Sequence, residues 1–268
     1  NILTIISDQF ITYFYHWKKY LPAEQQQFLV GKWMNANVIH NHGPLCSLYK
    51  AHENGDFRSE GDSPAYFHVI PTGLRNEEHP DWGGWGGRYV KVRENTWLDP
   101  VEEEGYVYPE GRWYTSNAWG RTRLKKNIPN DQMLIDYLRP TWHWIEPLQN
   151  DFAARADWCV KPYDEANHAP VVVVAHDNMN VASGKTVKLN AKGTKDPDGD
   201  KLTYKWWQYR EAGSYPGDIT FCSNGGVKSS FVVPEDAKKG ETIHVICEVT
   251  DNGVPALTRY ARVIITVK

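Results

Sequence analysis

Apolar and polar residues alternate in short runs through the last third of the chain. The runs are TVKLNA, KLTYKWWQY, SSFVVP, TIHVICEVT and RYARVIITV, and the turn-forming stretches DPDGD, NGG, KKGE and DNGVP separate them. Alternation with turns at this spacing is typical of an antiparallel β-sandwich of about 100 residues. The pattern therefore predicts about seven antiparallel strands in two sheets between Ala169 and Lys268.

The phase of the alternation assigns each residue to a face of its strand, because successive side chains point to opposite sides. In KLTYKWWQY, Tyr204 and Trp206 share the face that is expected to point into the core. Trp207 and Tyr209 lie on the other face, so Trp207 is expected to be largely exposed. The predicted inward positions of the last two strands are Ile243, Val245, Cys247 and Val249, then Ala261, Val263, Ile265 and Val267.

The first part of the chain has a mixed pattern of strands and helices. The run ILTIIS predicts a buried strand that ends near Asp8, and AEQQQFLVGKWM predicts an amphipathic helix. DQMLIDYL and WIEPLQNDFAARADWCV are also predicted to be helical, with Pro147 at the start or at a kink of the second. We therefore predict an α/β domain in residues 1–166 and the β-sandwich in residues 167–268.

Composition excludes some partners and favours others. The net charge is −3, so the chain lacks the basic excess that nucleic-acid binding needs. No run of about 18 consecutive apolar residues occurs, so the sequence predicts no membrane-spanning helix. The 12 tryptophans and 15 tyrosines favour ligand binding by aromatic stacking. The chain opens with NILTIISDQF, without an initiator Met, so we expect a piece of a longer protein in which any signal peptide lies upstream.

A helix start precedes a loop rich in glycine and tryptophan. Ser63-Pro64 favours a helix N-terminus, where Asp62 is either a partner of the helix dipole or, with Glu60, a Ca²⁺ ligand. In HPDWGGWGGRY, Trp82 and Trp85 either pack against the domain or stack on a sugar, and Arg88 pairs with an acidic residue or a ligand. We hypothesise that Glu60, Asp62 and at least one of Trp82, Trp85 and Arg88 border a common cavity.

Other polar groups are further candidates for a binding site. IHNHG contains His40, Asn41 and His42, and two histidines at this spacing can face a metal from a strand or hydrogen-bond within a loop. In QNDFAARADWC, Asn150 is a ligand-binding candidate, and Asp151 and Arg155 predict a surface ion pair at i,i+4.

The sandwich offers an acidic motif and a pair of cysteines. Asp196, Asp198 and Asp200 alternate in DPDGD, a pattern that suits either a Ca²⁺ site or ordinary turn chemistry. The four cysteines show no zinc spacing. The sequence does not decide whether Cys222 and Cys247 form a disulfide. Cys247 is predicted to point inward, whereas Cys222 is out of phase with the apolar residues beside it, Ile219 and Phe221.

Several blocks together resemble one protein family. NHGPLCSLY, EGDSPAYFHVIPTGL, HPDWGGWGGRY and NDFAARADWCV resemble the cellulose-binding, nucleoside-hydrolase-like family of bacterial secreted proteins, over roughly residues 33–268. NHAPVV, DPDGDKLTYKWW and EVTDNGVPALTRYARVIITV resemble immunoglobulin-like modules of the polycystic-kidney-disease and cadherin-like type. The resemblance implies a partial nucleoside-hydrolase-like α/β domain followed by an all-β immunoglobulin-like sandwich, and an extracytoplasmic location, secreted or periplasmic.

The resemblance also implies a chemistry, with two departures from it. Nucleoside hydrolases hold Ca²⁺ with an N-terminal aspartate cluster and one later aspartate, beside which a water attacks the ribose anomeric carbon. Asp62 looks similar to that later aspartate, with Glu60 as a neighbouring catalytic candidate. No aspartate cluster occurs in residues 1–59, and Gly61 stands where those enzymes often have a histidine.

These departures lead to the expectation of an incomplete active site. We expect no nucleoside hydrolysis from this chain alone, and we expect a missing N-terminal portion of the same protein as a partner. The ligand is expected to be a carbohydrate or a nucleoside-like small molecule, which the whole protein hydrolyses or binds. The alternatives are a non-catalytic cellulose-binding module and a structural spacer.

Overall fold

The computed structural model describes residues 4–6, 18–49, 63–98 and 139–268. These residues separate into two compact units, the first within Asn1–Ile70 and Asn76–Gln149, the second within Pro71–Arg75 and Asn150–Lys268. Asp8, Glu60, Asp62 and the segment DQMLIDYL lie outside the described residues, so the predictions made for them stay predictions.

The first unit combines short helices with a small mixed sheet. Its strands are β1 (Thr4–Ile6), β2 (Val90–Arg93) and β3 (Thr96–Leu98), and its helices are α1 (Ala23–Gln26), α2 (Gly31–Met34), α3 (Gly43–Cys46) and α4 (Ser63–Val69). The sheet order is β1-β3-β2, with β1 parallel and β2 antiparallel to β3. Helix α4 begins at Ser63, where the Ser-Pro pair predicts a helix start.

The predicted helix AEQQQFLVGKWM is broken in the structure. Helix α1 continues into a 3₁₀ turn, Gln27–Leu29, and Val30 is extended at φ −119° and ψ 152° before α2 begins. A β-branched residue followed by glycine is a poor helix interior. The break lets Leu29 and Met34 both become fully buried, so packing outweighs local helix propensity here.

Helix α5 (Ile145–Trp158) is the long helix expected from WIEPLQNDFAARADWCV, and Pro147 lies in its first turn. Prolines are tolerated there because the first N–H groups of a helix have no intrahelical partner. Among the described helices, none is long and apolar enough to cross a bilayer.

The second unit is rich in strands, which form two sheets. The strands are β4 (Asn178–Val181), β5 (Thr186–Asn190), β6 (Thr203–Gln208), β7 (Lys228–Val232), β8 (Thr242–Thr250) and β9 (Thr258–Val267). The four-stranded sheet has the order β4-β9-β8-β6, and β5 pairs with β7. The strand β4 was missed, and it pairs parallel to β9 although antiparallel strands were expected. Its run NMNV alternates asparagines with Met179 and Val181, but it is only 4 residues long and none of its side chains is fully buried, so the local signal is short.

Side chains from both sheets pack into one apolar core. It contains all eight inward positions predicted for β8 and β9, together with Val187 and Leu189 of β5 and Phe231 of β7. Trp206 also lies there, 1% exposed, and its indole N–H donates a hydrogen bond to the Gly226 carbonyl at 2.9 Å. The predicted register of these strands is therefore confirmed.

The outer face of the four-stranded sheet differs from the prediction. Trp207 is half-buried, with its indole N–H bonded to Glu248 at 3.0 Å, and Tyr209 is 1% exposed. Segment Pro71–Arg75 of the same unit lies against this face, where Tyr260 N–H donates to the Thr72 carbonyl at 2.9 Å. Simple alternation assumes a solvated outer face, and here that face is covered.

Cys222 and Cys247 do not form a disulfide. Cys222 is exposed, whereas Cys247 is buried opposite Trp206, and both thiols are free. Burial, with the nearby Glu248 carboxylate, raises the pKa of Cys247 to about 12. Its thiol therefore acts as a small apolar core group.

Candidate functional site

The glycine-tryptophan loop, residues 79–88, is closed by its own backbone. Gly84 and Gly87 exchange N–H to carbonyl hydrogen bonds of 3.0 and 2.9 Å, and Tyr89 N–H donates to the Pro80 carbonyl at 3.1 Å. Gly87 has φ +104°, which glycine adopts without the steric cost of a Cβ. The loop is thus held in one conformation from both ends.

The two tryptophans of this loop have different environments. Trp85 is fully buried, so its ring offers no face to a ligand, and the packing interpretation holds for it. Trp82 is half-buried and stacks on the exposed His79, with ring centroids 4.1 Å apart and planes 13° apart. His79 also lies 3.6 Å from the Asp81 carboxylate, and Arg88 is half-buried at the end of the loop. His79, Asp81, Trp82 and Arg88 are therefore groups of the loop that a ligand can reach.

A buried histidine on α4 ties the loop to that helix. The Asn76 side-chain amide donates to the His68 carbonyl at 2.6 Å and lies 3.3 Å from His68 Nδ1. A Cβ on Gly84 would lie 2.5 Å from Asn76 Oδ1, so only glycine fits at this approach. Burial lowers the pKa of His68, which favours its neutral form. Sequence reasoning missed His68, because its burial depends on the loop that folds over it.

Asn41 and His42 lie in a turn and not on a strand. The residues Asn35–Ile39 form a π-helical turn, after which Asn41 adopts φ +67° and α3 begins. His40 and Asn41 are exposed and His42 is half-buried. The strand geometry on which the two-histidine metal hypothesis depended is therefore wrong.

Asn150 and Asp151 have structural contacts within the second unit. The Asn150 amide donates to the Ala256 carbonyl at 3.1 Å. Asp151 is 2% exposed and accepts hydrogen bonds from Arg155 at 2.7 Å and from Arg259 at 2.6 Å. The predicted Asp151–Arg155 pair thus exists, but its carboxylate is buried and also binds Arg259, instead of lying on the surface.

The acidic loop, Asp196–Asp200, brings three carboxylates together as the motif predicts. One ligand atom from each of Asp196, Asp198 and Asp200 lies within 4.8 Å of the others. Asp196 Oδ1 accepts backbone hydrogen bonds from Asp198 at 2.9 Å and Asp200 at 3.0 Å, while its Oδ2 is buried without a hydrogen-bond partner among the described residues. Carboxylate oxygens at this spacing fit a hard cation such as Ca²⁺, and the backbone bonds equally fit an Asx turn.

Next to the acidic loop lies an aromatic stack that sequence reasoning did not single out. It comprises Arg155, Trp158, Tyr163 and His168. The His168 ring stacks on Tyr163 at 3.9 Å and on Trp158 at 5.7 Å, and the Arg155 guanidinium lies 5.4 Å from the Trp158 ring. The available signal was the sequence WCVKPYDEANH, which places three aromatic or imidazole rings within eleven residues of chain.

Two family models match the chain. Residues 4–89 match the nucleoside hydrolase-like domain of cellulose-binding Sde182, and residues 186–267 match the C-terminal domain of cellulose-binding protein Sde0182. No match is found among curated proteins.

A solved structure matches this chain over its full length. A nucleoside hydrolase-related protein from Saccharophagus degradans, described as associated with carbohydrate metabolism, is 27% identical with a TM-score of 0.69 and covers 100% of this chain. This chain spans 58% of the length of that one. Titin module M5 (15% identical, 38% of this chain, 97% of that one) and a PapD-like domain of human CEP192 (8%, 36% and 84%) have TM-scores of 0.24, too low to bear on the fold.

Proposed function

We propose that this chain, whose residues 4–89 and 186–267 match two domains of a cellulose-binding, nucleoside-hydrolase-like family, binds a polysaccharide such as cellulose and does not itself hydrolyse it. Its two domains are a nucleoside-hydrolase-like α/β portion and an immunoglobulin-like β-sandwich. The proposed location is extracytoplasmic, where insoluble polysaccharide is accessible. Because the chain spans 58% of its solved relative, the activity and partners of the whole protein, including an N-terminal portion, are part of the proposal.

The half-exposed Trp82 in the glycine-tryptophan loop is the observation that carries this function. Sugar rings have an apolar face of C–H groups that packs against an aromatic ring, while their hydroxyls bond to polar neighbours. Buried Trp85 and the Gly84–Gly87 bonds hold the loop rigid, so Trp82 is presented without an ordering cost. His79, which stacks on the ring, and Asp81, which lies 3.6 Å from His79, supply polar groups for sugar hydroxyls.

Binding is favoured over hydrolysis by what surrounds this loop. In nucleoside hydrolases a cluster of aspartates holds the metal ion. Among the described residues, three carboxylates close enough to hold a metal ion are found in the acidic loop, which belongs to the second unit and not to the unit of the glycine-tryptophan loop. His68 is buried, which lowers its pKa, and its carbonyl accepts a hydrogen bond from Asn76, so it has a structural role beside the loop. Hydrolysis by the full-length protein, with Glu60 and Asp62 as site residues and Ca²⁺ as cofactor, is the second candidate.

A pull-down on crystalline cellulose tests the proposal. Wild type is expected to bind. Trp82→Ala is expected to bind at least about fivefold more weakly, because truncating an aromatic anchor to alanine typically reduces the binding free energy by more than about 1 kcal/mol. Tyr66→Ala is the matched control, since Tyr66 is a half-exposed aromatic on α4 of the same unit. In parallel, the chain is incubated with inosine or uridine and Ca²⁺. Release of free base, or a wild type that stays in the supernatant, would contradict the proposal.

A further inference from the structure

The aromatic stack of the second unit has one ring that stands open to solvent. Tyr163 is 69% exposed although its ring stacks on His168 at 3.9 Å with the planes 23° apart. One face of the ring is therefore covered, and the opposite face is free to receive a ligand. The exposed face of the Tyr163 ring is apolar surface that stays in contact with water in the folded protein.

The support under Tyr163 is held by several independent bonds. His168 donates its backbone N–H to Asp198 at 2.6 Å, and its ring Nδ1 lies 3.0 Å from the same carboxylate. Trp158 donates its indole N–H to the Asn167 carbonyl at 2.9 Å. These contacts fix the His168 ring on which Tyr163 stacks. Binding to the open face then costs little side-chain ordering, which is the advantage of a preorganised site.

Charges around the ring select the kind of ligand. Asp164 and Glu165 follow Tyr163 in the same 3₁₀ turn, and both are exposed. The nearby Lys161 is already paired with Asp157, with 3.1 Å between ammonium nitrogen and carboxylate oxygen. An anionic polysaccharide would be repelled by these exposed carboxylates, whereas neutral sugar hydroxyls can donate hydrogen bonds to them.

We propose that Tyr163, supported by His168 and Trp158, is a second sugar-binding platform that stacks on the apolar face of a neutral β-linked glucan. The platform belongs to the second unit and is separate in sequence from the glycine-tryptophan loop. It rests on the proposed polysaccharide binding, to which it adds a contact residue and a preference for neutral chains.

The test compares how the wild-type chain, Tyr163→Ala, Tyr163→Phe, Trp82→Ala and the control Tyr66→Ala bind to phosphoric-acid-swollen cellulose. Tyr163→Ala is expected to bind at least about fivefold more weakly. Tyr163→Phe keeps the ring and is expected to bind within about twofold of wild type, as is Tyr66→Ala. Circular dichroism and urea unfolding test whether each variant is folded. We expect Tyr163 variants to be folded, because this side chain is exposed. A second arm replaces the neutral glucan with soluble polygalacturonate, to which no binding is expected.

The outcomes separate this inference from the proposed function. If wild type and Tyr163→Ala bind cellulose equally while Trp82→Ala does not, the platform is wrong and the proposed function stands. If wild type binds no neutral glucan, both are wrong. Equal binding to polygalacturonate and cellulose overturns the neutral preference, and a loss in Tyr163→Phe as large as in Tyr163→Ala overturns ring stacking.

Discussion

Arg262 Nε donates a hydrogen bond of 2.6 Å to the backbone carbonyl of Leu74, 188 residues earlier in the chain. Arg262 is 1% exposed, its guanidinium also lies 3.0 Å from His244 Nδ1, and it stands 5.4 Å from the Tyr209 ring. Because the arginine guanidinium only donates, His244 Nδ1 is the acceptor of this bond. A buried arginine thus fastens segment Pro71–Arg75 to the outer face of the four-stranded sheet.

Arg262→Lys is expected to destabilise the protein by about 1–3 kcal/mol, because an ammonium group cannot reproduce the planar fork and leaves a buried acceptor unsatisfied. Urea unfolding measures the change. Arg210→Lys is the control, since the Arg210 side chain is 53% exposed and pairs with an 80% exposed Asp218, and a change within about 0.5 kcal/mol is expected there. Equal midpoints for the two variants would contradict the role of Arg262.

Gly73 is expected to be the position of this segment that tolerates substitution least. It has φ +90°, and a Cβ there would lie 1.9 Å from the Tyr260 carbonyl oxygen. Gly73→Ala should therefore cost about 3 kcal/mol or more, combining backbone strain with a clash against backbone. Gly240 has the same φ but nothing within 4 Å of the added Cβ, so Gly240→Ala isolates the strain, about 1–2 kcal/mol. If Gly73→Ala and Gly240→Ala had similar midpoints in thermal or urea unfolding, the backbone near Gly73 and Tyr260 would be shown to move apart without cost.

Strand positions in the second unit were predictable, whereas the cover on the sheet was not. Alternation is a local signal, so it located β5 to β9 and placed Trp206 inside. The covering segment comes from a distant part of the chain, and nothing near Tyr209 or Arg262 reports it. A charged residue in a strand is normally taken as solvent-facing, and Arg262 breaks that rule because backbone and histidine acceptors surround it.

In the candidate site, too, some features were predictable from the sequence and others were not. The acidic loop was predictable because DPDGD fixes its carboxylates within five residues. Trp82 and Trp85 occupy equivalent positions in one glycine-rich motif, and only tertiary packing buries Trp85 and leaves Trp82 half-exposed. The aromatic stack depends on how the chain after α5 turns back on Trp158, for which the sequence holds only composition as a signal.

Stability is expected to fall as the pH drops below about 6.5, the ordinary pKa of histidine. Burial lowers the pKa of His68 in the folded state, so the unfolded chain takes up the proton first. The stabilising contribution is thus complete above the unfolded pKa and is lost as the pH falls towards the folded one. Urea midpoints at about pH 7.5 and 5.5 measure this, within a range where most carboxylates stay ionised.

His68→Gln is expected to flatten this pH dependence, because glutamine does not titrate. His79→Gln is the control, since the His79 side chain is 54% exposed and its removal should leave the slope nearly as in wild type. If both variants keep the full slope, another group carries the pH dependence.

Calcium is expected to stabilise the second unit through the acidic loop. Three carboxylates converge within 4.8 Å, and bringing them together without a cation costs electrostatic repulsion. A ligand that binds only the folded state adds about 2.7 kcal/mol at a hundredfold excess over its Kd, so the Tm with CaCl₂ should exceed the Tm with EDTA by several degrees. Asp200→Asn keeps the shape of the side chain but removes one charge, and it should abolish most of the calcium shift. The exposed Asp218→Asn should keep that shift. Equal Tm values for wild type in calcium and in EDTA would contradict the site and leave the three aspartates as turn residues.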